Sequence, residues 1–73
     1  MPMFSIVIVN GNIFKATEEF SSMIVARNAV MRSALRMLLE EETSESRRVA
    51  DCRIAEVGSR REASFKISLD ITD

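Results

Sequence analysis

Hydrophobic and polar positions change period twice along the chain, from strand-like to helical and back. Met3 to Val9 reads Met-Phe-Ser-Ile-Val-Ile-Val, is rich in β-branched residues and stops at Asn10-Gly11, which marks a strand. Phe4, Ile6 and Ile8 share one face, and Met3, Ser5, Val7 and Val9 share the other. A strand with one wet face should alternate apolar with polar. This one scarcely does, so its second face is expected to be covered by its own chain or by a partner. Asn10-Gly11 is a hairpin signal because both residues tolerate the positive φ of a type I′ turn. Asn12-Ile13-Phe14-Lys15-Ala16 is then a short return strand, Thr17 to Ser21 a linker, and Ser21 or Ser22 a helix cap. A competing reading runs Asn10 to Asn12 as a loop into a helix capped by Thr17, with Glu18 and Glu19 at the favourable dipole end. The turn chemistry favours the hairpin.

Ser22 to Glu42 is the longest periodic stretch and holds neither Gly nor Pro. Residues placed about 100° apart put Phe20, Ile24, Met31, Ala34, Leu35 and Leu38 on one face, with Met23 at its margin. Asn28, Arg32, Arg36, Ser22, Ser33 and Glu40 lie roughly opposite. A flank of Met23, Val30 and Met37, with Ala26 beside it, widens the apolar stripe. That width suits a helix covering a sheet, while the spacing of seven suits a helix–helix seam. Arg27 interrupts the apolar sector between Phe20 and Ala34. Its stem is expected to lie over core residues while the guanidinium reaches the edge, with an anion clamp as the functional alternative.

Glu40-Glu41-Glu42 opposes the helix dipole, so the last turn should fray into an exposed loop, Thr43 to Ser46. From Val49 to Val57 the alternation is imperfect, and a bulge at Ala55 or Glu56 would return Val57 to the face of Cys52 and Ile54. Gly58-Ser59 turns the chain into a last strand, where Ala63, Phe65, Ile67, Leu69 and Ile71 alternate with Glu62, Ser64, Lys66, Ser68 and Asp70. The sum is a single α+β domain over residues 1–73, in the order ββαββ, or βαββ if the return strand fails. One long helix lies on one face of a small antiparallel sheet, and the last strand is expected beside the first. Open sheet edges invite pairing with another chain.

Composition narrows the chemistry. A chain of 73 residues with one cysteine and no histidine has no internal disulfide and a marginal core. Oligomerisation is the obvious extra source of stability. The net charge of −1 points to neither nucleic acid nor an acidic membrane. The single thiol suits a reducing compartment, the apolar N-terminal run lacks the basic start of a secretory signal, and no run is long enough to span a bilayer. The expectation is a cytoplasmic protein.

The Asn10-Gly11 turn, the helix stretch Ala26-Arg27 to Met31-Arg32 and Leu38-Leu39-Glu40-Glu41, and Cys52-Arg53-Ile54 before a final turn together resemble a family of short bacterial proteins catalogued only as a domain of unknown function. That resemblance covers most of the chain and implies no activity, cofactor or catalytic residue. In coarse architecture the chain is also similar to the dodecins, which stack flavin on a tryptophan. With no Trp or Tyr here, flavin binding is not carried over.

Cys52 has no histidine to activate it and is expected to be a buried, inert thiol. The two glycines serve turns rather than phosphates, and the only carboxylate run, Glu40 to Glu42, lacks an apolar pocket. No catalytic, cofactor or metal residues are therefore assigned, and a non-enzyme is expected. The leading expectation is a homodimeric or larger protein-interaction module associating through Met3, Val7, Val9, Met23, Val30 and Met37, with an unidentified protein as a further partner. The alternative is a nucleic-acid-binding or regulatory accessory protein. Its contacts would be Arg27, Arg32 and Arg36 with Arg47, Arg48, Arg60 and Arg61, the last four in loops at one end of the sheet. Eleven acidic residues and an expected lack of any exposed aromatic weigh against that alternative.

Overall fold

The computed structural model describes residues 2–72. It contains β1 (Met3–Val9), β2 (Ile13–Glu19), α1 (Met23–Glu40), β3 (Arg47–Glu56) and β4 (Glu62–Asp70). The four strands form one antiparallel sheet in the order β2-β1-β3-β4, and α1 covers one face. This is the expected α+β fold in ββαββ order. Among the described residues no helix is long and apolar enough to cross a membrane.

The first hairpin forms, but not through a type I′ turn. Val9 pairs with Ile13, so three residues make the loop; only Gly11 takes a positive φ (101°), while Asn10 stays in the ordinary region. A left-handed conformation costs a β-carbon steric penalty that glycine escapes, so one glycine suffices. The return strand also runs beyond Ala16 to Glu19, and the expected linker shrinks to the residues before Ser22. Phe20 closes this end by donating its N–H to the Pro2 carbonyl (3.2 Å) and stacking its tilted ring 6.0 Å from that of Phe4.

Ser22 caps α1, as one of the two serines proposed. Its backbone is extended and its hydroxyl accepts from the Val25 N–H (3.3 Å). Such a cap stabilises a helix by about 1 kcal/mol. From there Ala26, Val30, Ala34 and Leu38, four residues apart, are buried against Phe4, Ile6, Ile8, Ala50, Cys52 and Ile54. The two alanines are fully enclosed, and their small side chains let the helix axis approach the sheet closely.

This phase differs from the one the wheel favoured. The flank carrying Ala26 and Val30 faces the sheet, whereas Ile24, Met31 and Leu35, assigned to the core face, remain 72%, 36% and 40% exposed. Two sheet expectations are also corrected. β3, not β4, lies beside β1, and β4 is an edge strand. No bulge interrupts β3, which pairs residue for residue with β1 from Asp51 to Glu56; Val57 continues that line by donating its N–H to the Met3 carbonyl (2.8 Å) as the turn begins, and its side chain is exposed. The helix crosses β3 and β4 and reaches β1, leaving β2 uncovered.

Candidate functional site

The residues proposed for association do not form one surface. Met3, Val7 and Val9 lie on the sheet face away from the helix. Val7 sits between Lys15 and Arg53, and Val9 between Ile13 and Asp51. These two valines border a shallow concavity with Asp51, Arg53, Ser64 and Lys66, whose largely apolar lining is interrupted by these charged and polar side chains. Asp51 and Lys66 face each other across it at 3.8 Å, both largely exposed, an ion pair of little energetic weight. Met23, Val30 and Met37 lie on the opposite side of the sheet. Val30 is 2% exposed and belongs to the core, and the two methionines pack against that core half-buried. The spacing of seven in this set is therefore a helix-to-sheet contact. Val30 has no surface to offer a partner.

The proposed arginine set is likewise divided. Arg48 sits at the C-terminal end of α1, where its guanidinium donates to the carbonyls of Leu38 (2.7 Å) and Thr43 (3.2 Å), with Nε 3.5 Å from the Glu45 carbonyl. The helix places no basic residue in its own last turn, and its final residues are acidic. Arg48 supplies the missing positive charge from β3 and occupies carbonyl oxygens that a helix end leaves without partners. Arg47 lies 3.7 Å from Asp70 across the β3–β4 pair. Arg47 and Arg48 open β3, whereas Arg60 and Arg61 follow its far end, so the four are not at one end of the sheet. The strand from Val49 to Glu56 lies between the pairs and sets them about 27 Å apart. Arg32 and Arg36 are exposed on the helix. Arg27 extends over Phe65, with its guanidinium carbon 5.5 Å from the ring centroid. That position gives a cation–π contact at the margin of the core.

Cys52 is buried on the helix-facing side of β3. Burial, and secondarily the nearby Asp51 charge, push its pKa above the ordinary thiol value, the reverse of what activates a nucleophile. Among the described residues no three His, Cys, Asp or Glu side chains gather as metal ligands.

One surface emerges that the sequence reading had placed inside. Ile24, Met31 and Leu35 form an outward stripe along α1, on the flank where Arg27 meets Phe65 of β4. The opposite flank, with Ala29 and Ser33, faces β2 across a narrow groove floored by Ile6 and Ile8 and bordered by Phe14, Ala16 and Glu18. Below the stripe, Phe65, Ile67 and Leu69 of β4 are only half covered by the helix, and beyond them the backbone edge of β4 has no neighbour. The available sequence signal was the helix's small residues. Ala26 and Ala34 mark where a backbone can approach a sheet, and the bulky set beside them is displaced outward. Compared with protein-family models, with curated proteins and with solved structures, the chain matches none.

Proposed function

We propose that the protein is a homo-oligomeric interaction module that works by presenting and covering surfaces rather than by catalysis. The observation that carries this reading is the outward stripe of Ile24, Met31 and Leu35 above the half-covered β4 row. Isolated exposed apolar residues are ordinary, but three on one helix flank, with Arg27 in the turn between Ile24 and Met31, beside an edge strand suit an association site. Small size supports it, because a chain of 73 residues buries a smaller fraction of its surface than a larger domain does and gains from a partner. The arginines give the nucleic-acid alternative no comparable support: Arg48 is engaged by carbonyl groups, Arg47 faces Asp70, and the pairs stand at opposite ends of β3. The reading rests on this surface and on neither family resemblance. Light scattering at low micromolar concentration tests it. The expected mass is at least twice the 8.2 kDa of the chain, and a folded species of single-chain mass overturns it.

A further inference from the structure

We propose that a second copy of this chain pairs antiparallel along β4, about a two-fold axis at Ile67, so that the sheet continues across the axis and the two helices lie side by side. The proposal rests on the self-association reading and specifies its geometry.

The two edges of the sheet are not equivalent. On the helix-facing side of β2, Glu18 lies opposite the buried Phe4 and follows Phe14 and Ala16. A charge on the inward row blunts an edge against pairing, and the backbone of α1 stands off β2 across the groove. The helix-facing row of β4 is Ala63, Phe65, Ile67 and Leu69, with no charge, and Ile71 extends it. Ile71 also donates its N–H to the Ser46 carbonyl (2.7 Å), which holds the chain in line beyond Asp70. The exposed stripe of α1 is on this side.

Register then follows from the sequence of β4. A two-fold axis normal to the sheet keeps each row on its own face, so residues of like parity oppose one another. With the axis at Lys66, two lysines meet and Glu62 opposes the second copy's Asp70, placing like charges opposite at three positions. Such pairs are destabilising. With the axis at Phe65, Arg61 falls opposite Leu69 on the apolar row. With the axis at Ile67, Phe65 opposes Leu69, Ile67 opposes itself and Ala63 opposes Ile71. On the other row Lys66 opposes Ser68 and Ser64 opposes Asp70. Among these registers only this one keeps the apolar row apolar and opposes no like charges, and it covers Ile71, which a single chain leaves 47% exposed; an axis at Ser68 would set Lys66 opposite Asp70 but pairs β4 only from Lys66 to Asp70, against Ser64 to Asp70 here.

The test is the distance between two nitroxides, one per chain, attached at Glu62→Cys in a Cys52→Ala background. If that background does not fold, the buried Cys52 is retained. At about 3.4 Å per residue and about 4.8 Å between strands, the two residue-62 Cα atoms are about 34 Å apart for the Ile67 axis, about 28 Å for Lys66 and about 21 Å for Phe65. Leu35→Glu, at an already exposed position, is measured in parallel for mass. A distance near the first value, with Leu35→Glu folded and reduced to the single-chain mass, is the expected result. An associated protein whose distance departs from about 34 Å overturns the Ile67 register, and one whose mass survives Leu35→Glu overturns the β4 assignment; neither outcome touches the self-association reading. A monomeric wild-type protein overturns that reading and the β4 assignment with it.

Discussion

Arg48 is where a single side chain joins the two halves of the fold, and its removal is the most informative stability measurement. Its guanidinium holds the Leu38 carbonyl at 2.7 Å in a partly buried setting, and the Thr43 carbonyl at 3.2 Å in an exposed one. The exposed contact is readily replaced by water and contributes little. The Leu38 contact is charge-assisted, and in Arg48→Ala it leaves a helix-terminal carbonyl without a partner beside three consecutive glutamates. A hydrogen bond to a charged group contributes about 1.5–3 kcal/mol, and loss of the favourable charge at the helix end adds about 0.5 kcal/mol. Discounting for partial exposure, Arg48→Ala should cost about 2 kcal/mol. At roughly 4–8 °C per kcal/mol for a domain of this size, the midpoint should fall by about 8–16 °C. Circular dichroism at 222 nm against temperature is the assay, with all variants at one protein concentration because association raises apparent stability. Arg48→Lys should recover only part of the loss, since an ammonium cannot span two carbonyls as a planar fork does. Arg32→Ala, on the exposed helix face, should stay within about 0.5 kcal/mol of wild type. An Arg48→Ala midpoint within about 2 °C of wild type would refute the capping argument.

Two further outcomes follow from the burial pattern. Val30→Glu should unfold the chain rather than release folded monomers, because it places an unpaired carboxylate in the core; a well-folded monomer by circular dichroism and light scattering would contradict the assigned helix phase. Cys52 gives a pH signature: its thiol pKa is raised in the folded chain, by burial first and Asp51 second. The folded state therefore keeps a proton that the unfolded state releases. The contribution is intact below the ordinary thiol value near 9.0 and is lost as pH rises through the folded value. The urea midpoint of wild type should fall relative to Cys52→Ala as pH rises past 9.0, and a difference that stays constant through that rise would contradict it.

Element types were legible because alternation and helical period report one-sided burial directly. The Phe4-Ile6-Ile8 row and the β4 row both sit on the helix side, as their patterns implied. Strand order was not legible. Clean alternation in β4 says that one face is wet, not which strand lies beside it, and here it belongs to an edge. The break near Val57 resembled a bulge because a strand end and a bulge leave the same local pattern. The helix wheel held two adjacent apolar sectors, and hydrophobicity alone favoured the one with Ile24 and Leu35. Packing turned the helix toward the other, burying Ala26 and Val30 together with Ala34 and Leu38 from the margin of the favoured sector, where the two alanines permit close approach. Arg48 was invisible as a cap because its partners lie up to ten residues away in sequence, across a loop.

Sedimentation velocity of wild type and Leu35→Glu across low to high micromolar concentration tests the central claim most directly. Wild type should sediment as an associated species of at least twice the chain mass, and Leu35→Glu should keep its helical signal but sediment as a single chain. A wild-type monomer throughout that range, or a variant that sediments as wild type does, would contradict it.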